Sequence, residues 1–274
     1  MKPSVLCFSG LDPSGGAGLG ADIESIVAAG AHAAVVCTAL TVQDSQQVYG
    51  FTPIDPALAQ TQAEKVISDL SIEVYKSGML GTLEMIDRVA ELIRSNPKPF
   101  VCDPVLVANS GGALTDTAAD PKEVIRAFHR LLPLATLVTP NLPELERLSG
   151  TSDVERGAQC LLDAGAGAVL IKRGHAKTES NATQKNSLIK NTLWQAGEDP
   201  IDLYVARLPA EFHGSGCSLA SYIAGRLACG SALPIAYAEA ELWLQSTLGA
   251  AYQSHSANHE GPTRQLVPDR ASKF

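Results

Sequence analysis

Aromatic residues are scarce in this 274-residue chain, at 5% of the total, and charged residues reach only 18%. Such a balance, with Ala, Gly, Leu and Val abundant, suits helices packed closely on a sheet better than a β-sandwich. Of the six cysteines (Cys7, Cys37, Cys102, Cys160, Cys217 and Cys229), no two stand at the C-x-x-C spacing of a zinc or redox site. Several lie in apolar runs, where a reduced thiol packs as a small hydrophobe. A disulfide framework is therefore not expected, and a reducing compartment is. Positive charge is scattered and the formal net charge is -8. Binding a phosphate backbone needs concentrated Lys and Arg, so nucleic acid is not an expected partner. A small anion stays open, because backbone N–H groups hold it whatever the net charge. No apolar stretch is clearly long enough to span a membrane, and Met1-Lys2-Pro3 runs into a short apolar strand without a secretory apolar segment. The expectation is a cytoplasmic protein with no membrane partner. No convincing 20–50-residue repeat is present.

What is present is an alternation of short apolar runs with helical patterns. Strands are expected at Val5–Ser9, Ala33–Val42, Glu73–Ser77, Phe100–Cys102, Thr136–Thr139 and Ala168–Lys172. Helices are expected near Gly18–Ala29, Pro56–Ser68, Leu83–Arg94, Pro121–Leu132, Pro143–Ser149, Val154–Ala164, Gly216–Ala228 and Pro234–Gln253, with a further strand near Leu203–Leu208. Strands apolar on both faces and separated by helices indicate a mostly parallel sheet covered on each side. The chain reads as one α/β domain over 1–274, with a polar flap or hairpin at about 176–200 and a polar tail at 254–274.

Chemistry-bearing residues cluster just after the strands: Ser9-Gly10, Gln43, Lys76-Ser77-Gly78-Met79, Asp103, Asn141 and Lys172. In an open parallel sheet, ligands bind beyond the carboxyl ends of the strands. The run Ser9-Gly10-Leu11-Asp12-Pro13-Ser14-Gly15-Gly16-Ala17-Gly18 is too glycine-rich for an ordinary connection and reads as a ligand loop. Within it, Gly16-x-Gly18-x-x-Ala21, with Asp44 after the next strand, matches a loose dinucleotide fingerprint, although the first glycine comes well after the strand end. Asp22 and Gln43 suit the reading of donor and acceptor atoms on a heteroaromatic ring, while a lone acid near a helix start is ordinarily just a favourable charge. Asn141-Leu142-Pro143-Glu144 has the form of a helix cap, the reading that local pattern favours over a pair beside Mg²⁺ and its waters. His213-Gly214-Ser215-Gly216-Cys217-Ser218 opens a helix and exposes several N–H donors, a nest for a phosphoryl group. Cys217 in the first turn is expected to have its thiolate favoured and to serve as a base. His255 and His259 lack a clear third ligand and read as solvated.

Taken in order, Asp12–Gly18, Ala21-Asp22, Thr38-Ala39-Leu40-x-x-Gln43, Lys76-Ser77-Gly78-Met79-Leu80, Asp103-Pro104-Val105, Thr139-Pro140-Asn141-Leu142-Pro143-Glu144, Lys172-x-Gly174-His175 and His213–Cys217 give a family likeness. The chain resembles the hydroxymethylpyrimidine (phosphomethylpyrimidine) kinases of thiamine biosynthesis, within the ribokinase-like family. The resemblance implies a ribokinase-like three-layer α/β/α fold with a central, mostly parallel sheet, and a homodimer. It implies pyrimidine contacts from Ala17, Asp22, Gln43 and Met79, and ATP phosphates on Gly214, Ser215 and Gly216 with Lys172. Asp103, Asn141 and Glu144 would organise Mg²⁺, and Cys217 would be the base. Arg173 and Leu208-Pro209-Ala210-Glu211-Phe212 depart from the family pattern on the nucleotide side. Three other functions stand beside this one: a pyridoxal/pyridoxine kinase, a non-catalytic pyrimidine-binding protein and a dinucleotide-dependent oxidoreductase.

Overall fold

A computed structural model describes residues 1–44, 47–106, 120–173, 188–252 and 266–271. Its elements in chain order are β1 (Ser4–Leu11), α1 (Gly18–Ala28), β2 (His32–Gln43), β3 (Val48–Pro53), α2 (Pro56–Asp69), β4 (Ile72–Ser77), α3 (Leu83–Ser95), β5 (Phe100–Cys102), α4 (Pro121–His129), a single 3₁₀ turn (Leu132–Leu134), β6 (Leu137–Val138), α5 (Leu142–Ser149), α6 (Val154–Asp163), β7 (Ala168–Ile171), β8 (Leu188–Gln195), β9 (Ile201–Ala206), α7 (Ser215–Ala228) and α8 (Leu233–Gly249). The strands form one sheet in the order β3-β2-β1-β4-β5-β6-β7-β8-β9. Strands β2, β1, β4, β5, β6 and β7 run parallel, while β3, β8 and β9 are antiparallel additions at the two edges.

Period-two alternation sorts the core into two layers. Leu6 and Phe8 of β1 join Val36, Tyr75, Phe100 and Val138 in the cluster under α2–α6. Their neighbours Val5 and Cys7 join Val74, Val101, Leu137 and Leu170 in the cluster under α1, α7 and α8. Helices therefore cover both faces, as expected for a mostly parallel sheet. On the second face α7 is held from both sides. Gly225 lets it approach α1 so closely that a Cβ there would stand 2.6 Å from Ala29 Cβ, and Tyr222 stacks on Trp243 of α8 with ring centroids 4.5 Å apart. Such a stacked pair adds about 0.5–1.5 kcal/mol beyond its burial. The consequence for function is that the first turn of α7 is fixed beside the start of α1.

Two strands were not anticipated, and both contain polar residues with specific partners. In β8, Thr192 and Asn191 are buried: Thr192 Oγ1 donates to Asp202, and the Asn191 amide donates to Glu241 of α8 while its Oδ1 accepts from the Arg173 backbone N–H. The polar stretch at 188–200 is accordingly a paired strand and turn, the first arm of a hairpin with β9; residues 176–187 lie outside the described residues. Of the tail, Leu266–Ala271 returns to the core, with Arg270 only 3% exposed. His175, His255 and His259 lie outside the described residues.

Candidate active site

The strand order reverses direction at β1, which has β2 on one side and β4 on the other. A crevice opens at such a switch point, beyond the carboxyl ends of the strands. A register shift at Ser9/Gly10 bends the end of β1. Across it, a Cβ on Gly10 would lie 2.9 Å from Met79 Sδ, and one on Gly78 would lie 2.6 Å from Ser9 Oγ and 3.0 Å from Lys76 Nζ. The two glycines let Met79 and the ammonium of Lys76 occupy the junction.

Beyond β1, the turn Asp12–Gly15 is closed by the Gly15 N–H donating to Asp12 O. The Asp12 carboxylate accepts from Ser14 N–H at 2.8 Å, Ser14 Oγ at 2.7 Å, Ala17 N–H at 2.8 Å and His213 Nε2 at 2.7 Å. Gln43 adds a further hydrogen bond to it. Burial alone would raise the Asp12 pKa, but the bonds from His213, Ser14 and Gln43 outweigh it and hold the carboxyl well below its usual range. One buried carboxylate thus connects the end of β2, the glycine turn and the residue preceding α7.

Gly214 caps α7 in the left-handed conformation, φ 72°, and no side chain caps that end. The first N–H groups of a helix have no acceptor within it, so the turn Ser215-Gly216-Cys217 is left to hold an anion. A Cβ on Gly214 would run into the Gly16 carbonyl oxygen, and one on Gly216 would meet Lys172 Nζ at 3.1 Å. The ammonium of Lys172 therefore stands directly over the open helix start.

Beneath the crevice lies an ion pair that sequence reasoning did not assign. Asp22 and Lys76 have fully buried side chains and meet at 2.7 Å. The same Oδ1 of Asp22 accepts from Ser221 Oγ of α7 at 2.6 Å, and Oδ2 has no hydrogen-bond partner. The Asp22 carboxylate expected at the ring has no exposed surface, and its Oδ1 is held by Lys76 and Ser221. Burial works against the Lys76 charge, yet Asp22, together with Cys217 and Asp103, outweighs it and raises the pKa. The clue in the sequence was a lysine closing an otherwise apolar strand, a residue type rarely buried unpaired.

On the other side of α7, Asp103 Oδ1 accepts from Thr139 Oγ1 and Lys172 Nζ, each at 2.8 Å. Asn141 and Glu144 form a full capping box on α5, each side chain accepting from the other's backbone N–H at 2.9 Å. Burial pushes the Glu144 carboxyl up to about 7, with Asp103 adding to the rise and Lys172 opposing it. Among the described residues no group of three or more His, Cys, Asp or Glu is arranged to hold a metal ion. Of the expected metal set, Asn141 has its side-chain oxygen engaged in capping, leaving two carboxylates that repel each other.

Cys217 lies among these charges, and here the expectation is corrected. Burial first, then Asp103 and Asp22, push its thiol up to about 11 against the opposing pull of Lys76 and Lys172. The helix start does not win against burial reinforced by two nearby carboxylates. With a pKa of about 11, thiolate amounts to roughly one part in 10⁴ at neutral pH. Alkylation of Cys217 by iodoacetamide is therefore expected to accelerate about tenfold per pH unit from pH 7 to 10, with surface-exposed Cys160 as the reference peptide in mass spectrometry. A plateau below pH 9 would show that the charges around the sulfur are wrongly assigned.

Ala17 and Gln43 thus connect to the residue before α7 through Asp12 and His213, Met79 lies against Gly10 at the end of β1, and Lys172 stands beside Gly216. Arg173 contributes its backbone N–H to Asn191, and Phe212 forms a backbone bridge to Leu266; neither departure disrupts the nest. The dinucleotide fingerprint finds no support in the geometry, since β1 ends at Leu11 and Gly16 follows the Asp12–Gly15 turn.

The family model for phosphomethylpyrimidine kinase matches residues 12–264. Among curated proteins, the chain is 35% identical to the hydroxymethylpyrimidine/phosphomethylpyrimidine kinase of Streptomyces coelicolor, over 91% of this chain and 90% of that protein. It is 37% identical to the thiamine biosynthesis bifunctional protein ThiED of Geobacter sulfurreducens, over 97% of this chain and 53% of that protein. Among solved structures, the pyridoxal kinase of Staphylococcus aureus in complex with pyridoxal superposes with a TM-score of 0.84 at 26% identity, covering 100% of this chain and 96% of that one. The same enzyme in complex with ADP gives a TM-score of 0.83 at 28% identity, over 99% and 94% of the two chains. The phosphomethylpyrimidine kinase of Clostridium difficile gives 0.74 at 28% identity, over 90% of this chain and 100% of that one.

Proposed function

The chain belongs to the phosphomethylpyrimidine kinase family, and from that premise we propose that it transfers the terminal phosphoryl group of ATP to the hydroxymethyl group of 4-amino-5-hydroxymethyl-2-methylpyrimidine, and then to its monophosphate, in thiamine biosynthesis. The observation that carries this reading is the uncapped start of α7 under Lys172, tied through Asp12 and His213 to the end of the sheet where Gln43 and Met79 lie. A ring bound there has its hydroxymethyl arm near the turn that holds the phosphates. Fixing two reactants in this way is the main protein contribution to phosphoryl transfer.

In this mechanism Ala17, Gln43 and Met79 bind the ring. Gly214, Ser215 and Gly216 hold the triphosphate through backbone N–H groups, and Lys172 neutralises charge that builds on the transferred group. Asp22 acts by holding Lys76 rather than by touching the ring. Cys217, as thiolate, takes the proton from the attacking hydroxyl; since that form is the minor one, kcat/KM should climb with pH across the neutral range. Asp103 and Glu144, hard oxygen donors whose mutual repulsion a cation relieves, suit Mg²⁺ bound through water. Bound there, Mg²⁺ supplies charge neutralisation on the phosphate oxygens. The reading places the enzyme in the cytoplasm as a homodimer, for which the exposed apolar side chains of Leu40, Val42 and Tyr49 on the β2–β3 ribbon offer a face.

The test follows ADP release with ATP, Mg²⁺ and, in parallel, the pyrimidine alcohol, its monophosphate and pyridoxal. Turnover of pyridoxal far more efficient than of either pyrimidine would move the assignment to the pyridoxal kinases, whose architecture the chain shares. A second expectation tests the nest. Gly214→Ala places a side chain in the left-handed region, about 1–2 kcal/mol unfavourable, and against the Gly16 carbonyl. The displaced donors should lower kcat by about 10²–10³ while the protein stays folded by circular dichroism; an unchanged kcat would take the phosphates away from α7.

A further inference from the structure

Within Leu266–Ala271 of the polar tail, the buried side chain of Arg270 touches both walls of the crevice. Arg270 is 3% exposed. Its Nε donates to Ser218 Oγ at 2.8 Å, one Nη donates to the Gly16 carbonyl, and the other reaches Glu24 at 3.0 Å. Ser218 Oγ in turn donates to the Gly214 carbonyl at 2.9 Å. Gly16 belongs to the glycine turn and Gly214 caps α7, and the Gly16 oxygen faces Gly214 with no room for a Cβ between them. The tail holds Arg270 in place through backbone bonds: the Leu266 carbonyl accepts from His213 N–H at 2.9 Å, Leu266 N–H donates to Glu211 O at 2.8 Å, and Asp269 N–H donates to Thr247 O at 3.1 Å.

A buried guanidinium is ordinarily matched by a buried carboxylate. Among the described residues Arg270 pairs with Glu24, whose side chain is 57% exposed, and directs its two inward bonds to neutral oxygens on opposite walls. A planar fork can do this where the compact ammonium of lysine cannot, because its donors point apart at fixed angles. We infer that Arg270 is a positioning residue for phosphoryl transfer, fixing the distance between the glycine turn that carries the ring and the helix start that carries the phosphates. It touches neither reactant.

This inference rests on the kinase reading, so the wild-type enzyme must first release ADP with the pyrimidine alcohol; failure there sinks the kinase reading and not the clasp. Given that activity, Arg270→Lys keeps the charge and removes the fork. The expected result is a fall in kcat per folded molecule of about 100-fold, since small misplacements of reacting groups cost that much, with KM raised for both substrates. For Arg270→Ala, millimolar guanidinium should restore several-fold activity by occupying the vacated slot. A side chain that merely stabilised the fold would lower the melting temperature, leave kcat per folded molecule unchanged and give no rescue; that outcome overturns the inference. If neither variant folds, Ser218→Ala removes one of the two wall contacts and reads the same quantity. Wild-type kcat in folded Ser218→Ala would equally overturn it.

Discussion

Cys217→Ala is expected to lower kcat by about 10²–10⁴, the range contributed by a positioned general base, while the ring alcohol still binds with near-native affinity. The separation follows from the geometry. On the proposed reading the ring is held by Ala17, Gln43 and Met79, on the β1, β2 and β4 side, whereas Cys217 lies in the first turn of α7. A base matters only when the proton moves, so its removal acts on kcat and leaves substrate affinity alone. Calorimetry for binding and steady-state ADP release for kcat check the two halves independently. The pH profile adds a third measurement. In the wild type, kcat/KM should rise with pH, since the Cys217 thiol is pushed up to about 11; in the variant that slope should vanish. Retention of the full wild-type rate would remove Cys217 from the proton transfer.

Lys76→Met has the largest expected effect on stability. The pair Asp22–Lys76 is fully buried at 2.7 Å, and removing one partner leaves the other as an uncompensated charge in the interior, at about 3–5 kcal/mol. Adding Asp22→Asn should return most of that loss, because the amide keeps an oxygen for Ser221 and carries no charge. Urea unfolding midpoints for wild type, single and double variants check this. If the single variant unfolds within 1 kcal/mol of wild type, the carboxylate reaches water, and the pair is not sealed as described.

The layout of the sheet was legible because parallel strands are apolar on both faces. Phe100–Cys102 is found with its expected bounds, and β1, β2, β4, β6 and β7 differ by only a few residues at their ends. The helices α2, α3 and α6 follow for the same reason, their apolar positions recurring with a helical period. Strand β8 was not legible, since Asn191 and Thr192 look like loop residues until their partners Glu241 and Asp202 are in place. The raised Cys217 thiol was not legible because a local rule, the favourable helix start, sees neither the burial of the sulfur nor Asp103 and Asp22. Lys76 is legible as a residue at a strand end but not as the partner of Asp22, and no local pattern marks Arg270. Each owes its role to groups far away in sequence, and no periodicity records that.

Three bonds at the centre of the molecule join positions almost as far apart as the chain allows. His213 reaches Asp12 across 201 residues, Ser221 reaches Asp22 across 199, and Arg270 reaches Gly16 across 254. A nascent chain leaving the ribosome has its first helix long before these partners exist. Until α7 emerges, Asp22 and Lys76 lack the roof that seals them, and the glycine turn has nothing to close against. Closure of the crevice therefore waits for α7 and Arg270, and a polypeptide cut short before α7 would carry the sheet without the open helix start that faces it.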